Sequence, residues 1–169
     1  MSSPAPALAS ILLTLALAAP AAAQKMQAVD LELAFVVDAS GSIDDAETRL
    51  QRQGYAHALA NPRVLRAIAS GFLRAIAVAY VEFAGPDCER ISVGWTRIHN
   101  AASAKEFGKR ILAQPRMFCP GGNAIADAVW LAANAMMVNG YDGTRRIIDV
   151  SGDGPNTLGR TMTEVRDMV

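Results

Sequence analysis

The sequence contains few of the residues from which zinc sites are built. It has two cysteines and two histidines among its 169 residues. Cys88 and Cys119 do not form a C-x-x-C motif, and His57 and His99 lack the spacing of paired zinc ligands. A zinc site is therefore not expected.

The chain also lacks net charge. Lys plus Arg and Asp plus Glu both number 16, which gives a formal net charge of zero at pH 7. Bulk electrostatics therefore favour neither a nucleic acid nor an anionic membrane surface as a partner. With 51% hydrophobic and 19% charged residues, the composition is that of an ordinary globular protein, and the length fits one domain.

Long apolar runs are absent except at the N terminus. Residues 7–19 are almost wholly apolar and are followed by Ala21-Ala22-Ala23-Gln24, a small-residue A-x-A site. This pattern predicts a secretory signal peptide over residues 1–23 and a periplasmic or secreted protein, although no Lys or Arg precedes the apolar run. The alternative is an uncleaved membrane anchor, but the run is shorter than the roughly 20 residues that a span needs.

Export changes the interpretation of the two cysteines. Cys88 and Cys119 form an even pair in an oxidising compartment, which favours a disulfide between them. Closing a loop of that length would contribute roughly 3 to 4 kcal/mol in the chain-entropy model. The alternative is two separate buried thiols.

Strand-like and helix-like segments alternate after the processing site. This order predicts an α/β fold, a doubly wound and mostly parallel sheet with helices on both faces. The predicted strands cover residues 31–37, 76–83, 91–98 and 144–150, and the predicted helices begin near residues 44, 103, 123 and 162, the first being interrupted at Asn61-Pro62. The short gap between 76–83 and 91–98 predicts an antiparallel edge strand, with Val93 and Trp95 on one face.

The chain stops within the last predicted helix, and no linker or repeat appears after the signal region. A doubly wound sheet of this kind normally has at least one further strand. We therefore expect one domain over residues 29–169 that is incomplete at its C terminus.

The segment Asp38-Ala39-Ser40-Gly41-Ser42 places one carboxylate and two hydroxyls directly after an apolar strand. The carboxyl ends of parallel strands form the crevice in which open α/β sheets bind ligands. Hard oxygen ligands of this kind suit a divalent cation of the magnesium type, with Mn²⁺ or Ca²⁺ as alternatives.

Two later loops are expected at the same edge of the sheet, one at residues 121–123 and one at residues 151–153. Asp38 and Asp153 would offset the charge of the cation, while Ser40, Ser42 and the amide oxygen of Asn123 would supply neutral ligands. Protein side chains rarely fill every position around an octahedral ion, so a position stays open to water or to a partner's carboxylate.

The first loop resembles the D-x-S-x-S signature of von Willebrand factor A domains, which have a Rossmann-like fold. Residues 121–123 resemble the second loop of the metal-ion-dependent adhesion site in that family, and residues 151–154 resemble the third. The run from Arg145 to Asn156 resembles a bacterial exported branch known only as a domain of unknown function. Asn123 departs from the pattern, since the family usually has threonine there.

Each candidate residue also has a purely structural interpretation. Asp38, Ser40 and Ser42 could form a strand-end turn that caps the next helix, and Asp153 could belong to an Asp-Gly turn. Asn123 is as well suited to an N-cap as to a metal ligand. Asp44 and Asp45 are expected to cap a helix, with the holding of metal-bound water as their alternative role.

Asp149 is unusual because its carboxylate interrupts an apolar strand that is predicted to be buried on both faces. We expect it to be paired with an arginine or with backbone amides, with a functional role as the alternative.

The resemblance implies a non-enzymatic, exported binding module that captures an Asp or Glu of a protein partner through the cation. One alternative is a metal-dependent hydrolase or phosphotransferase that uses Asp38, although no histidine or lysine accompanies the three loops as an evident base. The other is a structural domain whose metal site is degenerate because of Asn123.

Overall fold

The computed structural model of the protein describes residues 25–119 and 121–169, so the predicted signal peptide at residues 1–23 lies outside the described residues. Strands are β1 (Gln27–Val29), β2 (Leu31–Asp38), β3 (Ile76–Phe83), β4 (Glu89–Ile98), β5 (Tyr141–Gly143) and β6 (Arg146–Ser151). Helices are α1 (Asp45–Ala60), α2 (Pro62–Ala69), α3 (Ala101–Leu112), α4 (Ile125–Val138) and α5 (Met162–Met168). In this part of the chain no helix has the length and apolar character needed to span a membrane.

The predicted α/β architecture is confirmed. Four strands form a sheet in the order β4-β3-β2-β6, in which β2 runs parallel to both of its neighbours and β4 is antiparallel to β3. All eight residues of β3 are buried, as is typical of a strand covered by helices on both faces. The parallel arrangement brings the ends of β2 and β6 to one edge of the sheet.

Helices cover both faces of this sheet. On one face α1, α2 and α3 contribute to a cluster that includes Tyr80, Phe107 and Ile111, all buried. On the other face α4 packs on β2 and β3 through a cluster that includes Phe83 and Met136. Burying a large apolar side chain stabilises the fold by roughly 1.5–3 kcal/mol, so these clusters hold the strand ends in fixed positions.

The prediction that Val93 and Trp95 share one face of β4 is wrong. Val78 pairs with Thr96 while Tyr80 pairs with Val93, so two residues of β4 oppose one residue of β3. This bulge rotates the strand between the two side chains. Val93 consequently joins the cluster on the α1 face, and Trp95 packs against the cluster on the α4 face.

The expected burial of Asp149 is also wrong. Strand β6 lies at the edge of the four-stranded sheet in the described part of the chain, and Asp149 is exposed there. No ion pair joins it to an arginine among the described residues. Its charge lies near Tyr55, whose pKa is raised first by burial and further by Asp149.

Candidate metal site

The carboxylate of Asp38 is buried at the end of β2, with 1% of the residue exposed. Its Oδ1 atom accepts a hydrogen bond from the backbone N–H of Ser40 at 2.8 Å. Its Oδ2 atom is also buried but has no hydrogen-bond partner among the described residues. Because a buried carboxylate oxygen without a donor is costly, this atom has an unmet requirement that a cation would satisfy.

The two predicted serine ligands stand next to each other in the first loop. The Oγ atoms of Ser40 and Ser42 are 3.1 Å apart. Ser40 is buried and Ser42 is exposed, while the N–H of Ile43 donates to the carbonyl of Ser40 at 3.0 Å and closes the turn. The loop therefore presents two hydroxyl oxygens together, next to the carboxylate of Asp38.

The third loop passes directly over the first. Val37 pairs with Ser151, so β2 and β6 end side by side. A Cβ atom built on Gly152 would lie 3.4 Å from Oδ2 of Asp38. Asp38, Ser42 and Asp153 all line one cleft of about 440 Å³. The structure thus brings three of the five predicted ligands to one cavity.

The second loop is tied to the chain that follows Asp153. The backbone N–H of Asn123 donates to Thr157 Oγ1 at 3.0 Å, and its carbonyl accepts from the N–H groups of Thr157 at 2.9 Å and Leu158 at 3.2 Å. The side-chain Nδ2 atom of Asn123 would be 2.5 Å from a Cβ at Gly154. Asn123 therefore lies against the third loop rather than in the lining of the cleft.

The interpretation of Asn123 as the N-cap of the following helix is wrong. Helix α4 has Ala124 at its N-cap, without a side-chain hydrogen bond. The amide oxygen of Asn156 accepts from the N–H of Ala126 at 2.9 Å instead. The cap is thus supplied by a residue just after the third loop, 30 positions beyond Ala126. The residues that directly precede the helix do not indicate it.

The cap role of Asp44 is confirmed. Its carboxylate accepts from the N–H groups of Ala46 at 2.7 Å and Glu47 at 2.9 Å, and Glu47 Oε2 accepts from the N–H of Asp44 at 2.9 Å. This capping box holds the pKa of the Asp44 carboxyl below its ordinary value, with the amide of Glu47 as the main cause.

Glu47 is a residue of the cleft that the sequence interpretation missed. It lines the same cavity as Asp38 and Asp153, together with Leu50 and Gln51 from α1. The D-x-x-E spacing of Asp44 and Glu47 is the capping-box signal that would have placed Glu47 on the first turn of α1, facing the loop.

The predicted disulfide is confirmed. Cys88 and Cys119 are bonded, with their Cα atoms 6.2 Å apart. The bond packs with Met117 and with Ala39 of the D-x-S-x-S segment, and the carbonyl of Cys119 would be 3.8 Å from a Cβ at Gly41. It therefore holds the start of the second loop against the first loop.

A buried ion network between α1 and β3 supports the same loops from the α1 side of the sheet. Glu82 is 1% exposed and its Oε1 atom accepts from Arg52 Nε at 3.0 Å and Nη2 at 2.6 Å. Its Oε2 atom accepts from Arg90 Nη2 at 3.0 Å and from Ser92 Oγ at 2.6 Å. Arg52 also donates to two carbonyls of the chain after α3, and so fixes where that chain approaches the first loop.

Arg116 connects the chain that follows α3 to the first loop and to the start of α1. Its Nη1 atom pairs with Asp45 Oδ1 at 2.9 Å, and its Nη2 atom donates to the carbonyl of Ile43. Asp45 thus contributes an ion pair in addition to its charge at the N terminus of α1.

Comparisons with known proteins agree with this architecture. Residues 28–169 match the family described as "Protein of unknown function (DUF1194)". Proximal thread matrix protein 1 from the mussel byssus has a similar fold, with a TM-score of 0.63 and 14% identity over 86% of this chain and 36% of that chain. No curated protein matches the sequence.

A second solved structure is the von Willebrand factor domain of the type V pili tip protein Mfa5 from Porphyromonas gingivalis. Its TM-score is 0.46, with 15% identity over 71% of this chain and 36% of that chain. The chain therefore spans little more than a third of the length of either of these two chains. The family match covers most of the sequence and shows that the chain belongs to the DUF1194 family, with an α/β fold similar to that of proximal thread matrix protein 1.

Proposed function

We propose that this protein is an exported binding module that holds a divalent cation at the ends of β2 and β6 and uses it to capture an acidic side chain of a partner protein. The observation that carries the proposal is Oδ2 of Asp38, a buried carboxylate oxygen with no hydrogen-bond partner in the described part of the chain. It belongs to a residue that lines a cleft shared with Ser42 and Asp153.

The donor set fits a hard cation. Asp38 and Asp153 would offset its charge, and the hydroxyls of Ser40 and Ser42, which are 3.1 Å apart, would add neutral oxygens. Oxygen donors of this kind favour Mg²⁺, with Mn²⁺ or Ca²⁺ as alternatives. The fifth ligand in this proposal is the amide oxygen of Asn123.

The partner's carboxylate would complete the coordination. A cation held by few protein ligands keeps positions for other oxygens, and a carboxylate both fills such a position and offsets the remaining charge. The zero net charge of the chain supports a local contact of this kind over the broad basic surface that nucleic acid binding requires.

Export to the periplasm or the exterior is part of the proposal. The disulfide between Cys88 and Cys119 supports it, because such bonds persist mainly in oxidising compartments. The apolar run at residues 7–19 with its A-x-A site supports it as well. The fold relative from the mussel byssus is consistent with a role outside the cell.

A thermal titration tests the cation site. The protein, Asp38→Ala and the exposed control Asp142→Ala are melted in EDTA and with increasing Mg²⁺, Mn²⁺ or Ca²⁺. A ligand that binds only the folded state at 100 times its Kd contributes about 2.7 kcal/mol. For a chain of this size that corresponds to a rise in Tm of about 5–10 °C.

The protein and Asp142→Ala should show this rise, and Asp38→Ala should not. Flat curves for all three proteins would contradict the cation site and would favour a structural domain with a degenerate site.

A partner-binding assay tests the second half of the proposal. Capture of an acidic protein ligand should be lost in excess EDTA and restored by Mg²⁺. Binding that is unchanged in EDTA would contradict the mechanism.

An assay for turnover of a generic phosphate ester distinguishes the hydrolase alternative from the binding module. His57 and His99 do not line the cleft, and Asp38 is too buried to reach a large substrate without movement of the loops. Metal-dependent turnover that disappears in Asp38→Asn would nevertheless decide in favour of an enzyme.

A further inference from the structure

A second cleft lies across α1 from the candidate metal site. It has a volume of about 180 Å³ and is lined by Asp45, Thr48, Arg49, Arg52, Leu112 and Arg116. The first two turns of α1 separate the two clefts, because Glu47 and Leu50 line the metal cleft while Arg49 and Arg52 line the second one. We call this second cavity the arginine cleft.

The arginine cleft carries excess positive charge. The single carboxylate of Glu82 is shared by Arg52 and Arg90, so it cannot neutralise both guanidinium groups. Arg116 is paired with Asp45. Arg49 is exposed and forms no ion pair with any described residue.

Two features strengthen the attraction of the arginine cleft for an anion. Arg52 is only 5% exposed, so salt screens it poorly, and the N-terminal end of α1 adds a partial positive charge. Asp44, the N-cap of α1, also carries a carboxylate, but its Oδ1 atom is already bound by two amides of the capping box.

The two clefts share a wall. Ile43 lines the metal cleft, and its carbonyl accepts a hydrogen bond from Arg116, which lines the arginine cleft. A partner that placed a carboxylate at the first cleft would therefore pass over the second one within a few residues. An extended chain advances about 3.3–3.6 Å per residue, so carboxylates two to four residues apart lie roughly 7–14 Å from each other, which is comparable with the diameter of about 10–12 Å of the helix between the clefts.

The rim of the arginine cleft offers apolar surface for such a segment. Phe118 is 87% exposed, and the Arg116 guanidinium lies 5.1 Å from the centre of its ring. Leu112 is 46% exposed and lines the cleft itself. Methylene groups of a glutamate side chain would pack on this surface while its carboxylate meets the guanidinium groups.

We propose that the arginine cleft binds a second acidic side chain of the same partner segment, so that the partner is an acidic peptide segment with two carboxylates a few residues apart. This inference rests on the proposed function, because the first of the two carboxylates is the one captured by the cation. Arg49, which forms no ion pair with any described residue, is the cation that meets the second carboxylate.

Two synthetic peptides test the proposal by fluorescence anisotropy in Mg²⁺. One contains the sequence Asp-Gly-Gly-Glu and the other Asp-Gly-Gly-Gln, with the same label and blocked ends. Arg49→Gln should weaken the Asp-Gly-Gly-Glu peptide about three- to tenfold and leave the other peptide unchanged, as expected for one partly exposed charge-assisted contact. Arg63→Gln, an exposed arginine on α2, is the control and should change neither affinity.

Equal effects of Arg49→Gln on both peptides, or no effect on either, would overturn the inference. So would failure of the Asp-Gly-Gly-Glu peptide to bind at millimolar concentration. A sulfated oligosaccharide that binds more tightly than the peptide, without Mg²⁺, would also overturn it and assign the cleft to a polysaccharide. The Tm of each variant shows that the fold is kept.

The same assay in EDTA separates the two proposals. If EDTA abolishes binding and Arg49→Gln has no effect in Mg²⁺, the cation site stands and the arginine cleft fails. If EDTA leaves the affinities for both peptides unchanged and the discrimination by Arg49 persists, the arginine cleft stands and the cation site fails.

Discussion

Gly152 and Asp38 lie close together at two neighbouring strand ends, which places the third loop beside the first. A Cβ atom at Gly152 would be 3.4 Å from Oδ2 and 3.6 Å from Cβ of Asp38. The carboxylate oxygen that lacks a hydrogen-bond partner in the described part of the chain is therefore next to a residue that has no side chain. A larger residue at position 152 would occupy space beside the carboxylate of Asp38, which is buried, whereas the other proposed carboxylate ligand, Asp153, is exposed.

We predict that Gly152→Val reduces the affinity of the protein for Mg²⁺ at least tenfold. The valine methyl groups would extend beyond the Cβ position and crowd Oδ2 of Asp38 and the ring of Phe83, which lies 3.5 Å from that position. The affinity is measured by isothermal titration with Mg²⁺ and with Mn²⁺.

Gly54→Ala serves as the control for this substitution. A Cβ atom at Gly54 meets nothing within 4 Å, and the residue lies inside α1. The control should keep its Mg²⁺ affinity and gain up to about 1 kcal/mol in stability. Unchanged Mg²⁺ affinity in Gly152→Val would show that no cation lies beside Asp38.

A separate prediction concerns Asp38→Asn, which should raise stability in EDTA and remove the response to Mg²⁺. The amide keeps an oxygen to accept from the N–H of Ser40, and it replaces a buried charge by a neutral group that is less costly to bury without a partner. We expect a gain of about 1–3 kcal/mol in the free energy of unfolding, measured with urea in EDTA.

In saturating Mg²⁺ the order should reverse, with the unsubstituted protein the more stable of the two. A loss of stability in EDTA would mean that the carboxylate has a donor that satisfies Oδ2 without a cation.

The sequence was sufficient to predict the features that depend on local pattern. The apolar runs of β2 and β3 have the length of strands, Asn61-Pro62 interrupts a helix because proline favours the first helical turn, and the even cysteine pair forms the expected disulfide. The meeting of the first and third loops followed from the parallel sheet, since the parallel strands β2 and β6 end at the same edge.

The features that were missed depend on contacts between distant residues. Arg52 and Glu82 are 30 positions apart, and neither lies in a motif that indicates the other. The bulge opposite Ala79 depends on how β4 pairs with β3, which periodicity alone does not specify. Asn156 caps α4 from just after the third loop, and Asn123 lies beside Gly154. Both contacts join residues about 30 positions apart, which no local pattern indicates.

We predict that Glu82→Gln destabilises the protein by about 3–5 kcal/mol, because it leaves two arginines without their shared carboxylate in a buried position. Unfolding by urea at pH 7 measures the change. The control is Glu106→Gln, whose exposed pair with Lys109 has an N–O distance of 3.9 Å and should contribute less than about 0.5 kcal/mol. Equal effects of the two substitutions would contradict the structural role of the network.

A last prediction concerns Glu89, which follows Cys88 of the disulfide. Its Oε2 atom is buried without a hydrogen-bond partner among the described residues. The pKa of Glu89 is raised, chiefly by burial and further by the negative charges of Asp127 and Asp87. Arg160 pairs with Asp127, with an N–O distance of 2.6 Å, and forms no ion pair with Glu89.

The sign of the effect follows from the direction of this shift. A carboxyl whose pKa is higher in the folded state binds its proton more tightly there, so its contribution to stability is complete below the unfolded pKa and is lost as the pH rises through the folded pKa. Glu89→Gln should therefore stabilise the protein more at pH 7 than at pH 4, because glutamine resembles the protonated form.

Glu164→Gln provides a comparison of opposite sign. The pKa of Glu164 is lowered by its hydrogen bonds to the backbone and side chain of Thr161, so its contribution is present above the unfolded pKa and is lost as the pH falls through the folded pKa. This substitution should destabilise the protein at pH 7 and have a smaller effect at pH 3. Urea unfolding of both variants between pH 3 and pH 8 measures the two slopes, and slopes of the same sign would contradict the burial of an ionised Glu89 beside Asp127.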